Sequence, residues 1–365
     1  MELNERKQLL MEYMAIPRVS GYEGPMACRL RDDLAPWADE AYIDRVGNVI
    51  SVFRGTDEQA PSVMVFAHMD TIGYIITYID PDGFIKVDRM GGVPEKAVAS
   101  SAVRVGTEDG RWADGIIAAK SYHVQTAEEK NRADTLAKMY IDIGAHSREE
   151  VRAQGIEVGC PVSYRPIAFE LLNDRICGSY LDDASGMVTM VETARLLHDT
   201  PHAATVYLVG TVWEEFNARG AMMAARSTHP GMAVCLLGPG AGDTPDLKGT
   251  TNVVMEGGPA VTLFNFHGKG TLNGCVAHKG MYELIKRAAA AEGLDLQRSA
   301  GRGALSDTAY IQLEDAGIPC LDMGCPDRYS HSPYECLSLK DHAATGRLLY
   351  RFLTSVGAQF ALDRY

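Results

Sequence analysis

Val206-Tyr-Leu-Val-Gly-Thr-Val-Trp-Glu-Glu-Phe-Asn-Ala-Arg-Gly220 is the stretch on which the reading of this chain turns. An apolar run rich in β-branched residues stops at two adjacent carboxylates, Glu214 and Glu215, and a small-residue segment with helical spacing, 221–226, follows. A continuous apolar run of this length reads as a strand buried on both faces, as in a parallel sheet. Open α/β sheets place ligands outside the carboxyl ends of such strands. Neighbouring side chains on an extended backbone point apart, so the two glutamates can do different work: one binds a cation, the other handles a proton. A solvated loop with two acids is the plainer reading of the pair taken alone. Partners at other strand ends decide against it.

Those partners lie on both sides of the stretch. Ser62-Val-Met-Val-Phe-Ala67 reads as a buried strand that delivers His68-Met-Asp70 at its end. Leu181-Asp-Asp-Ala-Ser-Gly186 leads into a helix in which Met187, Met190, Val191, Ala194 and Leu197 share one face. A strand over 318–323 runs into Cys325-Pro-Asp-Arg-Tyr-Ser-His-Ser-Pro333. His68, Asp182, Glu215 and His331 thus stand at strand ends or strand-to-helix turns. Two imidazoles and two carboxylates form a borderline N/O donor set suited to zinc, cobalt or manganese. Asp70, two residues after His68 on an extended strand, would point the same way and hold the ring nitrogen that faces away from the metal. A carboxylate between two cations lets a metal pair share a water, lower its pKa and polarise a carbonyl. Glu214 would take the proton from that water and pass it to the leaving amine. Singly, His68 also reads as a strand-end core histidine and Asp182 as a helix cap. The combination carries the chemistry.

At 365 residues, one large domain plus a smaller one is expected. The texture changes after residue 70, where short β-like runs separated by Gly, Asp and Pro suggest a small β barrel or sandwich. The α/β texture returns near Ile176. This predicts a main domain over 1–70 and 167–365 and an insertion over 71–166. The net charge of -13, with no basic run, argues against a nucleic-acid or acidic-membrane partner. The N-terminus lacks the apolar core of a signal peptide, and no apolar stretch approaches the ~20 residues needed to span a bilayer. The eight cysteines are scattered without a Cys-x-x-Cys pair. Reduced thiols in a cytoplasmic protein are the expectation.

In this order, Ser20-Gly-Tyr-Glu, Arg45-Val-Gly-Asn-Val-Ile, Ala67-His-Met-Asp-Thr-Ile-Gly-Tyr, Tyr140-Ile-Asp-Ile-Gly-Ala, Leu181-Asp-Asp-Ala-Ser-Gly, Trp213-Glu-Glu-Phe-Asn-Ala-Arg-Gly-Ala and Arg328-Tyr-Ser-His-Ser-Pro run through nearly the whole chain. Together they resemble the glutamyl aminopeptidase or tetrahedral aminopeptidase family of dinuclear metallopeptidases. The resemblance implies an α/β/α sandwich catalytic domain with an inserted β barrel used for oligomer contacts, often in dodecamers. It implies two divalent ions (Zn, Co or Mn), with His68 on the first, Asp182 bridging, and Glu215 and His331 on the second. Glu214 matches the general base and Asp70 the carboxylate behind the ligands. Asp307 falls in a stretch near the substrate end. His123 matches a position between barrel and catalytic domain, where a structural role is equally open. The Asp182–Asp183 peptide bond is expected to be cis.

Two positions depart from the family pattern. Leu237 stands where the family has an acidic ligand for the first metal, six residues before Asp243 of Gly242-Asp243-Thr-Pro245. Leucine cannot ligate a metal, so that site keeps only His68 and Asp182 unless Asp243 or another group moves in. Thr71 stands where the family has Glu. The activity expected is a metal-dependent aminopeptidase acting on short peptides, in a homo-oligomer. A related amidohydrolase with another acyl substrate and a metal-depleted homologue acting as a scaffold or binder are the alternatives. A glycosidase is disfavoured, because one acid of the adjacent pair is already committed to the metal.

Overall fold

The computed structural model describes residues 1–268 and 274–364. Its centre is a nine-stranded sheet. Across it run Glu40–Ile43, Val49–Phe53, Val206–Thr211, Val63–His68, Met232–Cys235, Cys320–Gly324, Ala260–Phe266 and Gly274–Val276, with Gln297–Arg302 also paired to Ala260–Phe266. The middle four strands are parallel to one another, so their carboxyl ends share one edge. The strand expected from the opening stretch is Val206–Thr211, flanked by Val63–His68 on one side and antiparallel Val49–Phe53 on the other.

Alternation along Val63–His68 shows why both faces are apolar. Val63, Val65 and Ala67 point into one buried cluster, together with side chains from the helices Leu3–Met14, Gly24–Leu34, Leu181–His198, Lys279–Ala291 and Leu339–Leu353. Met64 and Phe66 point into another, against Ala221, Ala224 and Ala225 of helix Gly220–Thr228. Successive side chains of a strand alternate between faces, so one strand seals both layers. The result is an α/β/α sandwich.

Six strands between residues 73 and 164 close into a barrel, in the order Gly73–Ile79, Ile85–Met90, Ile141–Asp142, Trp112–Ile117, Ala102–Gly106 and Pro161–Tyr164. Tyr74, Ile76, Ile85, Val103, Val105, Ile117, Ile141, Val162 and Tyr164 fill it. The sequence left barrel and sandwich open. Closure removes the exposed edges a sandwich would leave.

Three features were not anticipated. A four-stranded antiparallel sheet joins Ala168–Leu171, Arg175–Gly178, Glu335–Ser338 and Asp327–Arg328. Gln297–Arg302 is a strand despite its polar sequence. Helix Lys279–Ala291 begins only after 274–276 have paired with Ala260–Phe266, and the His278 ring accepts the Met281 amide as its cap.

Candidate metal centre

Register places the site. His68 ends its strand directly opposite Thr211, and three residues further on the chain reaches Glu214. Asp182 enters from a third direction, just after Tyr180 with φ +70. The Asp182–Asp183 bond is cis, as the resemblance implies. His331, at φ +66, follows the short strand Asp327–Arg328. These residues line one cavity of about 950 Å³ together with Glu214, Leu237, Asp327, Arg89 and His267.

His331 Nε2 stands 3.3 Å from Asp182 Oδ2 and 3.3 Å from Glu215 Oε1. Asp182, Glu215 and His331 offer donor atoms that all lie within 4.8 Å of one another. Ligand atoms 2.0–2.2 Å from a tetrahedral ion lie about 3.4 Å apart, so this trio fits a divalent cation. The other His331 nitrogen, Nδ1, faces the Gly92 carbonyl at 3.1 Å, a contact that fixes ring orientation. His68 Nε2 is closer to Asp182, 2.8 Å from Oδ1.

Asp70 stands behind the His68 ring and also braces the backbone of the two glutamates. His68 Nδ1 meets the Asp70 main-chain oxygen at 3.0 Å, whereas the nearer carboxylate oxygen is 3.6 Å away. The carboxylate instead accepts the main-chain N–H of Glu214 and of Glu215, each at 3.0 Å, and the Ser20 hydroxyl at 2.6 Å. Three donors hold it more firmly than one ring could. Glu335, which sequence reasoning missed, mirrors this arrangement: its carboxylate accepts the amides of Asp182 at 2.9 Å and His331 at 2.8 Å. Its signal in the sequence is only its place four residues after His331.

Charge is concentrated here. Burial drives Glu214 well above the ordinary carboxylate range against the pull of His68, with Glu215, Asp307 and Asp70 adding to the rise. Burial also pushes Glu215 up to about 7, although His331 pulls the other way. Burial disfavours charge on both histidines, but hydrogen bonds to Asp182 outweigh it and raise His331 to about 11 and His68 well above its usual value. Asp182 is held below the carboxylate range in spite of its burial, by His331 and His68. Crowded carboxylates around two imidazoles are donor chemistry for a divalent cation.

Asp307 is buried, 1% exposed, and does not line the cavity; its Oδ2 accepts the Thr211 hydroxyl at 3.3 Å. His123 lies on an exposed turn, Tyr122–Val124, and does not line the cavity. Leu237 does line it. Asp243 is engaged elsewhere: Arg328 Nε and Nη2 donate to its two oxygens at 2.9 and 2.6 Å.

The profile of the M42 glutamyl aminopeptidase family matches residues 47–348. The chain belongs to that family. The Escherichia coli K12 protein SgcX is 34% identical over 346 residues, which cover 94% of this chain and 92% of its relative. The lysyl aminopeptidase of Pyrococcus furiosus is 30% identical over 338 residues, 92% of each. The solved structure of aminopeptidase APDkam598 from the archaeon Desulfurococcus kamchatkensis superposes with a TM-score of 0.92 at 29% identity, covering 98% of this chain and 97% of that one. As an M42 chain it is a peptidase, a hydrolase of peptide bonds, with a candidate metal site at Asp182, Glu215 and His331.

Proposed function

We propose that this M42 chain removes N-terminal residues from short peptides, with Glu214 as general base and Asp182, Glu215 and His331 holding a divalent cation. The observation that carries the reading is the pair of 3.3 Å separations around His331 Nε2. Asp182, Glu215 and His331 would hold a zinc, cobalt or manganese ion there, which would supply Lewis acidity toward a scissile carbonyl and a nearby water. The remaining work falls to the chain. Glu214 lies in the wall of the same cavity, and its raised proton affinity suits a group that takes a proton from the attacking water and gives it to the leaving amine. Asp70 fixes the backbone of Glu214 and Glu215; Glu335 fixes that of Asp182 and His331. Neither needs to touch substrate. They are positioning residues.

Glu214→Gln tests the assignment. Metal content should stay at the wild-type level, and turnover of aminoacyl-anilides should fall by a factor on the order of 10² or more. Unchanged turnover removes Glu214 from the mechanism.

The same proposal takes residues 71–166 as an inserted unit that serves self-association, with 1–70 and 167–365 as the catalytic unit. Ile116, Tyr122 and Val124 on the barrel segment are 48%, 65% and 66% exposed, which supports an interface role. All eight cysteines are unpaired, which supports a reducing compartment such as the cytoplasm. Among the described residues no helix is long and apolar enough to cross a membrane.

A further inference from the structure

We infer that each chain is built to hold one divalent cation, at Asp182, Glu215 and His331, and that His68 serves this centre by hydrogen bonding to Asp182 rather than by ligating a second ion. The inference rests on the metallopeptidase reading above and departs from the two-ion centre that the resemblance implies.

Three donors converge at one position only. Among the described residues, Asp182, Glu215 and His331 are the sole group of three or more His, Cys, Asp or Glu side chains whose ligand atoms all lie within 4.8 Å. On the His68 side there are two, His68 Nε2 and Asp182 Oδ1. Their separation also differs in kind. Around His331 the spacing of 3.3 Å matches the edge of a tetrahedron about an ion, about 3.4 Å for ordinary metal–ligand bonds. His68 Nε2 and Asp182 Oδ1 are 2.8 Å apart, a length typical of a direct N–H···O hydrogen bond. Its Nδ1 faces the Asp70 main-chain oxygen at 3.0 Å, a contact that fixes the ring's orientation as the Gly92 carbonyl fixes that of His331.

The candidates for a third donor each fail for a structural reason. Leu237 presents an aliphatic side chain to the cavity and packs against an apolar cluster that includes Cys235 and Phe66. The adjoining Gly238 and Gly324 carry no donor side chain, and a Cβ on Gly238 would collide with the Cys325 carbonyl and one on Gly324 with the Gly238 amide. Asp243 is gripped by the Arg328 guanidinium and also accepts the Met255 amide at 3.2 Å. Asp183 is turned to the start of its own helix, where Oδ1 accepts the Gly186 amide at 2.7 Å. Asp327 shares the cavity wall but does not complete a trio with His68 and Asp182.

The test is metal stoichiometry on the full chain. Protein dialysed against zinc, cobalt or manganese is analysed for metal, and the apoprotein is titrated with Co(II) while its absorption spectrum is followed. We expect one equivalent per chain and a single spectral transition. Leu237→Asp should raise the content to two and add a second transition, because it restores the missing donor. His68→Gln should keep one equivalent, and His331→Ala should lose it. Circular dichroism of each variant reports folding, and the wild-type stoichiometry stands without any variant. Two equivalents in the wild type, or loss of the ion in folded His68→Gln, overturns the inference. No metal in the wild type under any of the three ions overturns the metallopeptidase reading itself.

Discussion

Glu335 and Asp70 play matching parts at the residue scale, each lending a buried carboxylate to a pair of main-chain amides that precede or carry functional side chains. Replacing Glu335 with Gln swaps one acceptor oxygen for an N–H group that faces a donor, so either the Asp182 or the His331 amide loses its partner. Metal affinity of Glu335→Gln should fall roughly 10–100-fold, as measured by competition with a chromogenic chelator. Affinity equal to wild type would show that the clamp is dispensable. His68, Asp182, Glu215 and His331 were legible in the sequence, because each is a polar residue set at the end of an apolar run or at the turn into a helix. Glu335 was not. It sits in Tyr334-Glu-Cys-Leu-Ser338, and only the tertiary fold brings its carboxylate under two amides. The hold of Asp70 on the Glu214 and Glu215 amides was not legible, since strand alternation says nothing about amides arriving from another strand.

Helix Leu181–His198 carries Asp182 at its start and packs against Leu3–Met14 and Leu339–Leu353 at the element scale. His342 ties the three together. Its Nδ1 accepts from Arg6 Nη1 at 2.9 Å, and its Nε2–H donates to the Ser185 main-chain oxygen at 2.8 Å. Burial, reinforced by the Arg6 charge, holds this ring down to about 3. A histidine whose folded pKa lies below its unfolded value gives its full stabilisation above about pH 6.5 and loses it as pH falls toward the folded value. Between pH 6.5 and 5 the ring should withdraw about 2 kcal/mol of stability. Urea unfolding of His342→Gln should show that part of the pH slope missing, whatever the variant's stability at neutral pH. An unchanged slope would mean that the ring is not held neutral. The buried parallel strands were readable from apolar runs. Gln297–Arg302 was not, because polar residues supply no period and its pairing with Ala260–Phe266 is a main-chain matter. Short strands of two to four residues, such as Asp327–Arg328, leave too little sequence for any pattern.

The whole molecule couples an α/β/α sandwich to a closed barrel, and the barrel strands were legible as a change of texture after residue 70 because short strands between Gly and Pro turns look unlike long apolar ones. Choosing barrel over sandwich depended on which edges meet, a long-range property. Self-association belongs to this scale: size-exclusion chromatography with light scattering should give a mass several times the 39.7 kDa chain, and a monomer would defeat the proposed role of residues 71–166. The central claim, that this M42 chain hydrolyses peptides through the cation site at Asp182, Glu215 and His331, is tested most directly by chelation and reloading. Turnover of a panel of aminoacyl-anilides should vanish when the protein is dialysed against a strong chelator and return when zinc, cobalt or manganese is added back. Turnover that survives complete removal of metal would contradict it.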